Sequence, residues 1–286
     1  MRFAIASTDR YLGVFDAFLK AGWEPVKLFV TPGDGTSDPN RAIIARATKL
    51  KLDVQASRMT QRDLRDLAER KCDALVVATY EWRICDWRPF LGHAVNFHCS
   101  PLPVGRGPNP TIRAILEKWE SWGVTCHKIE PEFDTGAILA QELFPTALDE
   151  CQESLDLKIQ MAAGRLATRV AADFANLWDN GSPQGQGSYW KRPTEEQKTI
   201  DFAQPVESIL RQVRAFEQVE SIAKVSGAVV LVRRATGWAE VHDHPPGKVV
   251  HVAANAPRIV IAARDGYVAL VDWRLLGGLP APLPLV

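Results

Sequence analysis

Short β-rich segments alternate with amphipathic segments over the first 80 residues of this chain. The β-rich ones are RFAIAS, EPVKLFV, LDVQA and DALVVAT, and those between them, such as QRDLRDLAERK, carry apolar residues at helical spacing. A strand that is apolar along its whole length, as DALVVAT is, is typical of a strand buried on both faces of a sheet. This βαβαβαβ order predicts an α/β fold with an open, mostly parallel, Rossmann-like sheet. In such a sheet, ligands bind beyond the carboxyl ends of the strands.

The next segments extend this first domain. A short strand AVNF is followed by a helix from about Pro110 to Lys118, and then by two β-rich runs, GVTCHKI and AILAQEL, which the turn at Asp134 joins. A long helix is expected to begin near Asp149, which forms the pattern of a capping box with Gln152. Apolar residues recur along this helix at a spacing that predicts that it covers the sheet.

A second, smaller domain is predicted after residues 180–188. This stretch, NGSPQGQGS, is rich in Gly, Ser and Pro, which predicts a linker or a surface loop. Five short β-rich runs follow, and Asp265-Gly266 predicts a hairpin between the last two. We therefore expect one domain over residues 1–190 and an OB-like β-barrel domain over residues 191–286. The tail PAPLPLV is expected to be a loose terminus.

The chain carries no overall charge. Of its 286 residues, 34 are Lys or Arg and 34 are Asp or Glu, so the formal net charge is zero. No overall charge therefore attracts the protein to nucleic acid or to a membrane, although a basic patch on one face is compatible with a net charge of zero. No segment approaches the roughly 20 apolar residues that cross a bilayer, and MRFAIAS predicts a first strand and not a signal peptide. We expect a soluble, cytoplasmic protein.

Motifs for several common site types are absent or weak. The first βα turn, STDRYLG, lacks G-x-G-x-x-G, and no P-loop motif occurs, so a dehydrogenase or a P-loop enzyme is not expected. Five cysteines without a Cys-x-x-Cys spacing indicate reduced thiols. His242 and His244 would share one face of a strand, but they precede a turn, and we expect no metal site.

The segment NFHCSPLPVGRG, residues 96–107, has neither helical nor strand periodicity. Asn96 and His98 are two residues apart on extended chain, so they would project together at the carboxyl edge of the sheet. Two prolines stiffen the segment, and Gly105 and Gly107 permit a backbone path closed to other residues, which predicts a loop of one shape beside a ligand. The alternative is that Asn96 caps a turn and His98 is a buried, hydrogen-bonded imidazole.

NFHCSPLPVGRGPNP followed by GVTCHKIEPEFDTGAILAQE resembles the 10-formyltetrahydrofolate-dependent formyltransferase family. That family includes methionyl-tRNA formyltransferases and sugar N-formyltransferases, and its pattern is Asn-x-His, Ser-x-Leu-Pro, Arg-Gly, Gly-Val-Thr and Asp-x-Gly. WKRPTEEQKTIDF and the β-rich runs after it are similar to the C-terminal barrel of many members. The resemblance implies a formyltransferase fold, 10-formyltetrahydrofolate as cosubstrate, and no metal.

The resemblance also implies catalytic residues, which are Asn96, His98 and Asp134. Asn96 would donate an amide N–H to the oxyanion of a tetrahedral intermediate, which is worth about 3 kcal/mol for one donor. His98 would take a proton from the incoming amine or hold the oxyanion when charged. Asp134 would orient the imidazole, stabilise its charge and relay a proton to the leaving nitrogen.

Folate-binding positions follow from the same resemblance. They lie after the DALVVAT strand, in the Arg-Gly pair and before the catalytic Asp, where backbone groups would pair with the pterin edge. These positions are Tyr80, Glu81, Trp82, Arg106, Glu130, Pro131, Glu132 and Phe133. The alternative to folate binding is that Trp82 packs in the core and that Glu81 and Arg106 remain in solvent.

The formyl acceptor is where members of the family differ. Methionyl-tRNA formyltransferases usually carry a basic, glycine-rich insertion after the second strand, but this chain has TPGDGTSDPNRAII there. Pro108 also replaces a frequent second arginine after Arg-Gly. Since a tRNA acceptor stem needs several Lys or Arg contacts to phosphate, we expect a small amine, such as a nucleotide-linked amino sugar or a hydroxylated ornithine. tRNA remains the alternative acceptor, and a homodimer is compatible with the sequence.

Two other function classes remain open. A formyltetrahydrofolate hydrolase would use the same three residues with water as the nucleophile, but in that family an additional N-terminal regulatory domain is usual, and this sequence starts at the first strand. A folate-binding protein without transferase activity would not need Asn96, His98 and Asp134 together. Release of formate in the absence of an amine would identify a hydrolase. Binding of folate without turnover would identify a folate-binding protein.

Overall fold

A computed structural model describes residues 1–32, 39–253 and 257–276. The chain divides into two units by compactness. Unit 1 comprises Met1–Pro110, Ser121–Pro145 and Leu157–Trp190, and unit 2 comprises Thr111–Glu120, Thr146–Asp156 and Lys191–Val286. The domain boundary between residues 190 and 191 stays a prediction, and residues 33–38 of TPGDGTSDPNRAII and the tail PAPLPLV lie outside the described residues.

Seven described strands of unit 1 form one sheet in the order β3-β2-β1-β4-β5-β6-β7. The pairs β1–β2, β2–β3, β1–β4 and β4–β5 are parallel, whereas β5–β6 and β6–β7 are antiparallel. The strands are β1 (Arg2–Ser7), β2 (Glu24–Phe29), β3 (Asp53–Gln55), β4 (Ala74–Ala78), β5 (His93–His98), β6 (Ser121–Lys128) and β7 (Ile138–Pro145). The predicted parallel sheet is confirmed, and the strand order reverses between β1 and β4, which is where a doubly wound sheet opens a crevice.

Helices connect the strands as the amphipathic segments predict. They are α1 (Leu12–Lys20), α2 (Arg41–Lys49), α3 (Gln61–Glu69), α4 (Pro110–Leu116), α5 (Gln152–Ala172) and α6 (Phe174–Asp179). The capping box of α3 is complete, because Thr60 accepts from the Asp63 N–H and Asp63 accepts from the Thr60 N–H. None of these described helices is long and apolar enough to span a membrane.

An aromatic cluster fixes one face of the sheet in unit 1. Phe18 of α1 is buried and meets Trp23 edge-on, with ring centroids 4.8 Å apart. It also contacts Phe3 of β1 at 5.5 Å and Phe97 of β5 at 6.3 Å. Successive residues of a strand point to opposite faces of the sheet. Because Phe97 points toward this cluster, its neighbours on β5 point to the other face.

The start of α5 differs from its prediction. The expected capping box of Asp149 with Gln152 is wrong, and Cys151 caps the helix instead. The Cys151 N–H donates to Ser154 Oγ at 3.2 Å, and the Ser154 N–H donates to Cys151 Sγ at 3.5 Å. Gln152 is already the first helical residue, and its side chain donates to the Ala215 carbonyl at 2.9 Å. An Asp is the expected N-cap from the sequence, because a thiol is only a weak hydrogen-bond acceptor.

Unit 2 contains an antiparallel sheet in the order β10-β11-β12-β9-β8. Its strands and helices are α7 (Glu195–Lys198), α8 (Val206–Phe216), β8 (Ser221–Val225), β9 (Ala228–Ala239), β10 (Val249–Val252), β11 (Ile259–Ala263) and β12 (Gly266–Leu275). The hairpin at Asp265-Gly266 is confirmed by the Ala263–Gly266 pair. VVLVRR and the first two residues of WAEVH, predicted as two strands, lie in the single long β9, and β8 was not predicted. The fold class of a mostly parallel α/β sheet with a smaller C-terminal β domain is confirmed.

Truncation of Phe18 tests the aromatic cluster. Phe18→Ala removes a ring that is 0 % exposed, so we expect a loss of about 3–5 kcal/mol in the free energy of unfolding. Urea unfolding followed by circular dichroism measures it. Met161→Ala, at a side chain that is 64 % exposed, is the control and should change stability by less than about 0.5 kcal/mol. A loss below about 1 kcal/mol for Phe18→Ala would contradict the packing described.

Candidate active site

The site lies where β5 ends, on the face opposite the aromatic cluster. Asn96 and His98 are both on β5, and His98 is buried. The antiparallel neighbour β6 pairs Asn96 with His127 and His98 with Thr125. Directly opposed residues on one face of a sheet have Cβ atoms about 5 Å apart. The strand register therefore brings a second histidine to the site.

His127 holds the side-chain amide of Asn96. Its Nδ1 lies 2.7 Å from the Lys128 carbonyl. A carbonyl only accepts, so Nδ1 carries the proton of the neutral imidazole and Nε2 is the acceptor. Asn96 Nδ2 lies 3.2 Å from that Nε2 and donates to it. His127 thus fixes which way the amide points and leaves the second N–H of Asn96 Nδ2 for another acceptor.

Asp134 comes from the connection between β6 and β7 and faces both imidazoles. Its Oδ1 is 3.5 Å from His98 Nδ1 and 3.7 Å from His127 Nε2, and its Oδ2 accepts the Gly107 N–H at 2.9 Å. The backbone of Asp134 is left-handed, with φ 58°, a region that Asp tolerates better than most residues. The predicted turn therefore presents the carboxylate inward, and the structure brings Asn96, His98 and Asp134 together.

The two nitrogens of His98 have different roles. Nε2 lies 2.9 Å from the Gly105 carbonyl, so it carries the proton, and Nδ1 is the basic nitrogen that faces Asp134. A proton that arrives at Nδ1 would lie beside a carboxylate in a buried site, where opposite charges attract strongly. The pair can therefore accept one proton and stabilise the imidazolium that results.

Burial and charge set the protonation states. Burial lowers the pKa of His98 below its usual value of 6.5, against the opposing effect of Asp134. Burial alone would raise the pKa of Asp134, but the charge of protonated His98, His127 when its Nε2 carries a proton, and the Gly107 N–H together lower it to about 2. The charge of His98 acts on Asp134 only once the imidazole is protonated, so at neutral pH the Gly107 N–H holds the carboxylate. Near pH 7 the site contains a neutral His98 and a charged Asp134.

The loop after β5 is anchored at both ends. Thr125 Oγ1 donates to the Ser100 carbonyl at 2.7 Å and accepts the Leu102 N–H at 3.0 Å. Gly105 and Gly107 have positive φ, as expected, and a Cβ on Gly107 would lie 2.4 Å from the Trp190 carbonyl oxygen. The Gly107 N–H that binds Asp134 is therefore positioned by a backbone conformation that only glycine can adopt here.

The first predicted folate segment follows β4. The Tyr80 hydroxyl accepts the Met59 N–H at 2.7 Å, and the Tyr80 and Trp82 rings meet edge-on at 5.3 Å. Glu81 is exposed, whereas Tyr80 and Trp82 are half-buried. Tyr80 is therefore fixed in place by the chain itself, and a folate role for these three residues stays a prediction.

The second predicted folate segment is tied to the first. The guanidinium of Arg83 donates to the Pro131 carbonyl and lies 5.7 Å from the centre of the exposed Phe133 ring. Arg88 forms an ion pair with Glu130. The Glu132 carbonyl accepts the Thr135 hydroxyl at 3.1 Å. The two segments are thus neighbours, but the Pro131 carbonyl already has a donor, and binding of a pterin by these residues stays a prediction.

Arg106, the remaining folate candidate, is held by the segment predicted to be a linker or a surface loop. Its Nε and Nη2 donate to Gln184 Oε1 at 3.1 and 2.8 Å, and Nη2 also reaches the Gly185 carbonyl at 3.1 Å. Ser182 pairs with Ile138 of β7. A linker is therefore wrong for these residues, because they pair with the loops of the site, whereas a surface loop agrees with their mostly exposed side chains.

Metal ligands do not cluster in the described residues, where no group of three His, Cys, Asp or Glu side chains is placed to hold an ion. His242 Nε2 lies 2.9 Å from the Gly266 carbonyl, and the His242 and His244 rings are 5.7 Å apart.

Comparison with protein families gives matches over nearly the whole chain. Residues 27–171 match the family described as Formyl transferase, and residues 193–283 match Formyl transferase, C-terminal domain. The chain is 27% identical over 300 residues to a methionyl-tRNA formyltransferase of Janthinobacterium sp. (strain Marseille), covering 97% of this chain and 94% of that protein. It is 31% identical over 224 residues to one from Roseiflexus castenholzii (strain DSM 13941 / HLO8), covering 76% and 70%.

Solved structures share the fold. HypX from Aquifex aeolicus in complex with tetrahydrofolic acid superposes with a TM-score of 0.67 at 21% identity, over 96% of this chain and 44% of HypX. The chain thus spans less than half the length of HypX. The N-formyltransferase from Helicobacter canadensis, in complex with folinic acid and dTDP-3-aminofucose, superposes with a TM-score of 0.66 at 17% identity, over 96% of this chain and 99% of that one.

NMR titration of the Asp134 carboxyl group tests its contacts. These contacts lower its pKa from 3.8 to about 2, which corresponds to roughly 2 kcal/mol of stability at pH 6. We therefore expect the 13C-labelled carboxyl resonance that is missing from Asp134→Asn to titrate with a pKa of about 2 in wild type.

Asp179→Asn, at an exposed carboxyl of α6, is the matched control and should leave the Asp134 resonance and its pKa unchanged. A pKa of 3.8 or higher for Asp134 would show that the carboxylate is not held as described.

Proposed function

The chain belongs to the formyl transferase family, and from this premise we propose that it transfers the formyl group of 10-formyltetrahydrofolate to the amino group of a small molecule. Nucleotide-linked amino sugars and hydroxylated ornithines are the acceptor classes that we favour. The convergence of Asn96, His98 and Asp134 in one buried site carries the proposal. The folate ligands named for HypX and for the Helicobacter canadensis enzyme support the cosubstrate.

The proposed reaction assigns one task to each group. The amine nitrogen attacks the formyl carbon, a C–N bond forms, and the electron pair of the C=O bond moves to oxygen. Asn96 donates its remaining N–H to that oxyanion. His98 Nδ1 takes the proton that the amine loses, and Asp134 stabilises the imidazolium. The bond to N10 then breaks, the proton goes to N10, and the products are the N-formyl amine and tetrahydrofolate.

Charge favours a small acceptor over tRNA. Residues 191–286 hold twelve Lys and Arg against ten Asp and Glu, a small excess for a surface that would contact several phosphates. Several of these cations also have carboxylate partners. Arg211 and Arg214 lie near Glu207, and Arg233 and Arg274 lie near Glu220.

Methionyl-tRNA is the second candidate acceptor. The observation that favours it is that relatives matched over 97% of this chain are named methionyl-tRNA formyltransferases. A hydrolase that uses water, and a folate-binding protein without turnover, are retained as outcomes of the acceptor test. We also propose a cytoplasmic location, since 10-formyltetrahydrofolate and these acceptors are metabolites.

An acceptor screen tests the function. The purified chain is incubated with 10-formyltetrahydrofolate and, separately, with amino-sugar nucleotides, N-hydroxyornithine, charged methionyl-tRNA and no amine. We expect tetrahydrofolate and an N-formyl product with one small amine, at a rate at least about tenfold above that with methionyl-tRNA. Preference for methionyl-tRNA would establish the second candidate, and formate release without an amine would establish a hydrolase. Binding of folate with no turnover in any mixture would contradict transferase activity.

Substitution of the catalytic residues tests their roles. His98→Ala and Asp134→Ala are each expected to lower turnover at least roughly a hundredfold, since the first removes the general base and the second removes the charge that stabilises the imidazolium. His251→Ala, at an exposed histidine of β10, is the control and should leave turnover unchanged. Circular dichroism verifies that each variant is folded. Turnover within about threefold of wild type in either folded site variant would refute the assigned role.

A further inference from the structure

Residues 182–190, which we call the strap, connect the two loops that carry the site. At one end, Ser182 and Ile138 exchange N–H···O bonds of 2.8 Å. At the other, the Arg106 N–H donates to the Ser188 carbonyl at 2.9 Å, and the Trp190 N–H donates to the Arg106 carbonyl at 2.7 Å. The strap therefore spans from the start of β7, beside the Asp134 turn, to the loop that contains Gly107.

Close packing fixes the path of the strap over the Arg106 loop. A Cβ on Gly187 would lie 2.3 Å from the Pro103 carbonyl oxygen and 3.0 Å from the Arg106 guanidinium carbon. The Ser188 hydroxyl accepts the Gly105 N–H at 2.9 Å. Gly187, one of the glycines that suggest a linker, is thus required for the close approach of two backbones.

Gln184 is the third residue of the strap, and both the nitrogen and the oxygen of its side-chain amide form hydrogen bonds. Its Nε2 donates to the Asp134 carbonyl at 2.9 Å and to the Gly136 carbonyl at 2.7 Å. Its Oε1 accepts from Arg106 at 3.1 and 2.8 Å. One side chain therefore binds the backbone on both sides of Thr135 and also the loop that supplies the Gly107 N–H.

These contacts close a ring through the site. The Asp134 carboxylate binds Gly107, Gly107 follows Arg106, Arg106 binds Gln184, and Gln184 binds the Asp134 carbonyl. The left-handed conformation of Asp134 is uncommon for a residue with a side chain and persists where surrounding contacts determine it. Gln184 supplies such a contact at the carbonyl, and Gly107 supplies the other at the carboxylate.

We infer that Gln184 is a positioning residue that sets the Asp134 carboxylate against His98 Nδ1 and ties its turn to the Arg106 loop. The inference rests on the proposed function, in which Asp134 stabilises the imidazolium. Gln184 acts through Asp134 and does not itself contact reacting groups. Loss of its contacts should therefore displace a group of the chemical step, and displacements near 1 Å are costly there.

Two substitutions distinguish the contacts of the amide nitrogen of Gln184 from those of its amide oxygen. Gln184→Met keeps the length of the side chain and loses all four contacts. Gln184→Glu keeps an acceptor for Arg106 and loses the donors to the Asp134 and Gly136 carbonyls. Gln186→Met and Gln186→Glu, two residues along the strap at an exposed side chain, are the matched controls.

Steady-state kinetics of the full chain with the acceptor found in the screen give the first test. We expect Gln184→Met and Gln184→Glu to lower kcat at least about tenfold, with KM for 10-formyltetrahydrofolate within about threefold of wild type. The Gln186 variants should keep kcat within about twofold of wild type. A kcat within about twofold of wild type in folded Gln184→Met, a loss confined to KM, or an equal loss in the Gln186 variants would overturn the inference.

Titration of Asp134 gives a test that does not need turnover, so it separates this inference from the proposed function. In wild type, the 13C carboxyl resonance of Asp134 should titrate with a pKa of about 2. In Gln184→Met the pKa of Asp134 should rise by at least half of the difference from 3.8, because the carboxylate is no longer held. An unchanged pKa would overturn the inference even if transfer is observed, and a raised pKa would support it even if the chain is inactive on every amine.

Discussion

One carboxylate joins parts of the chain that are distant in sequence. Asp134 accepts the Gly107 N–H, lies 3.5 Å from His98 and 3.7 Å from His127, and reaches this position only through a left-handed turn. Without that turn, the end of β5 would carry an amide and an imidazole without a neighbouring negative charge. The proposed chemistry, the protonation states and the role of the strap all depend on where this carboxylate lies.

The same geometry accounts for a neutral base beside a fixed charge. Burial favours the neutral form of His98, whereas the N–H of Gly107 keeps Asp134 ionised. A proton released by an amine can therefore be accepted on His98 Nδ1 and stabilised at once. His127 contributes differently, since its Nε2 accepts from Asn96 and so aims the amide. Three polar side chains and one orienting histidine thus form the site on which the proposed acyl transfer depends.

Local pattern in the sequence predicts the sheet, the loop of Asn96 and His98, and the Asp134 turn, because alternation and glycine positions are local properties. His127 was missed because its place beside Asn96 is set by the register of β5 with β6, which local spacing does not reveal. Gln184 was missed for a related reason. Its partners lie 48 to 78 residues away, and its Gly- and Ser-rich surroundings are typical of linkers. The contacts of Arg83 and Arg88 with the predicted folate segments also join residues that are distant in sequence.

The most direct measurement of the central claim is the titration of His98 by NMR, with 15N-labelled imidazoles, in wild type and in Asp134→Asn. The account predicts that the pKa of His98 lies below 6.5 in wild type and lower still in the variant, because burial opposes the charged form and the carboxylate favours it. Asp179→Asn, at an exposed carboxyl of α6, is the matched control and should leave the pKa of His98 at its wild-type value. A His98 pKa that does not change when the Asp134 charge is removed would show that the carboxylate does not act on this imidazole.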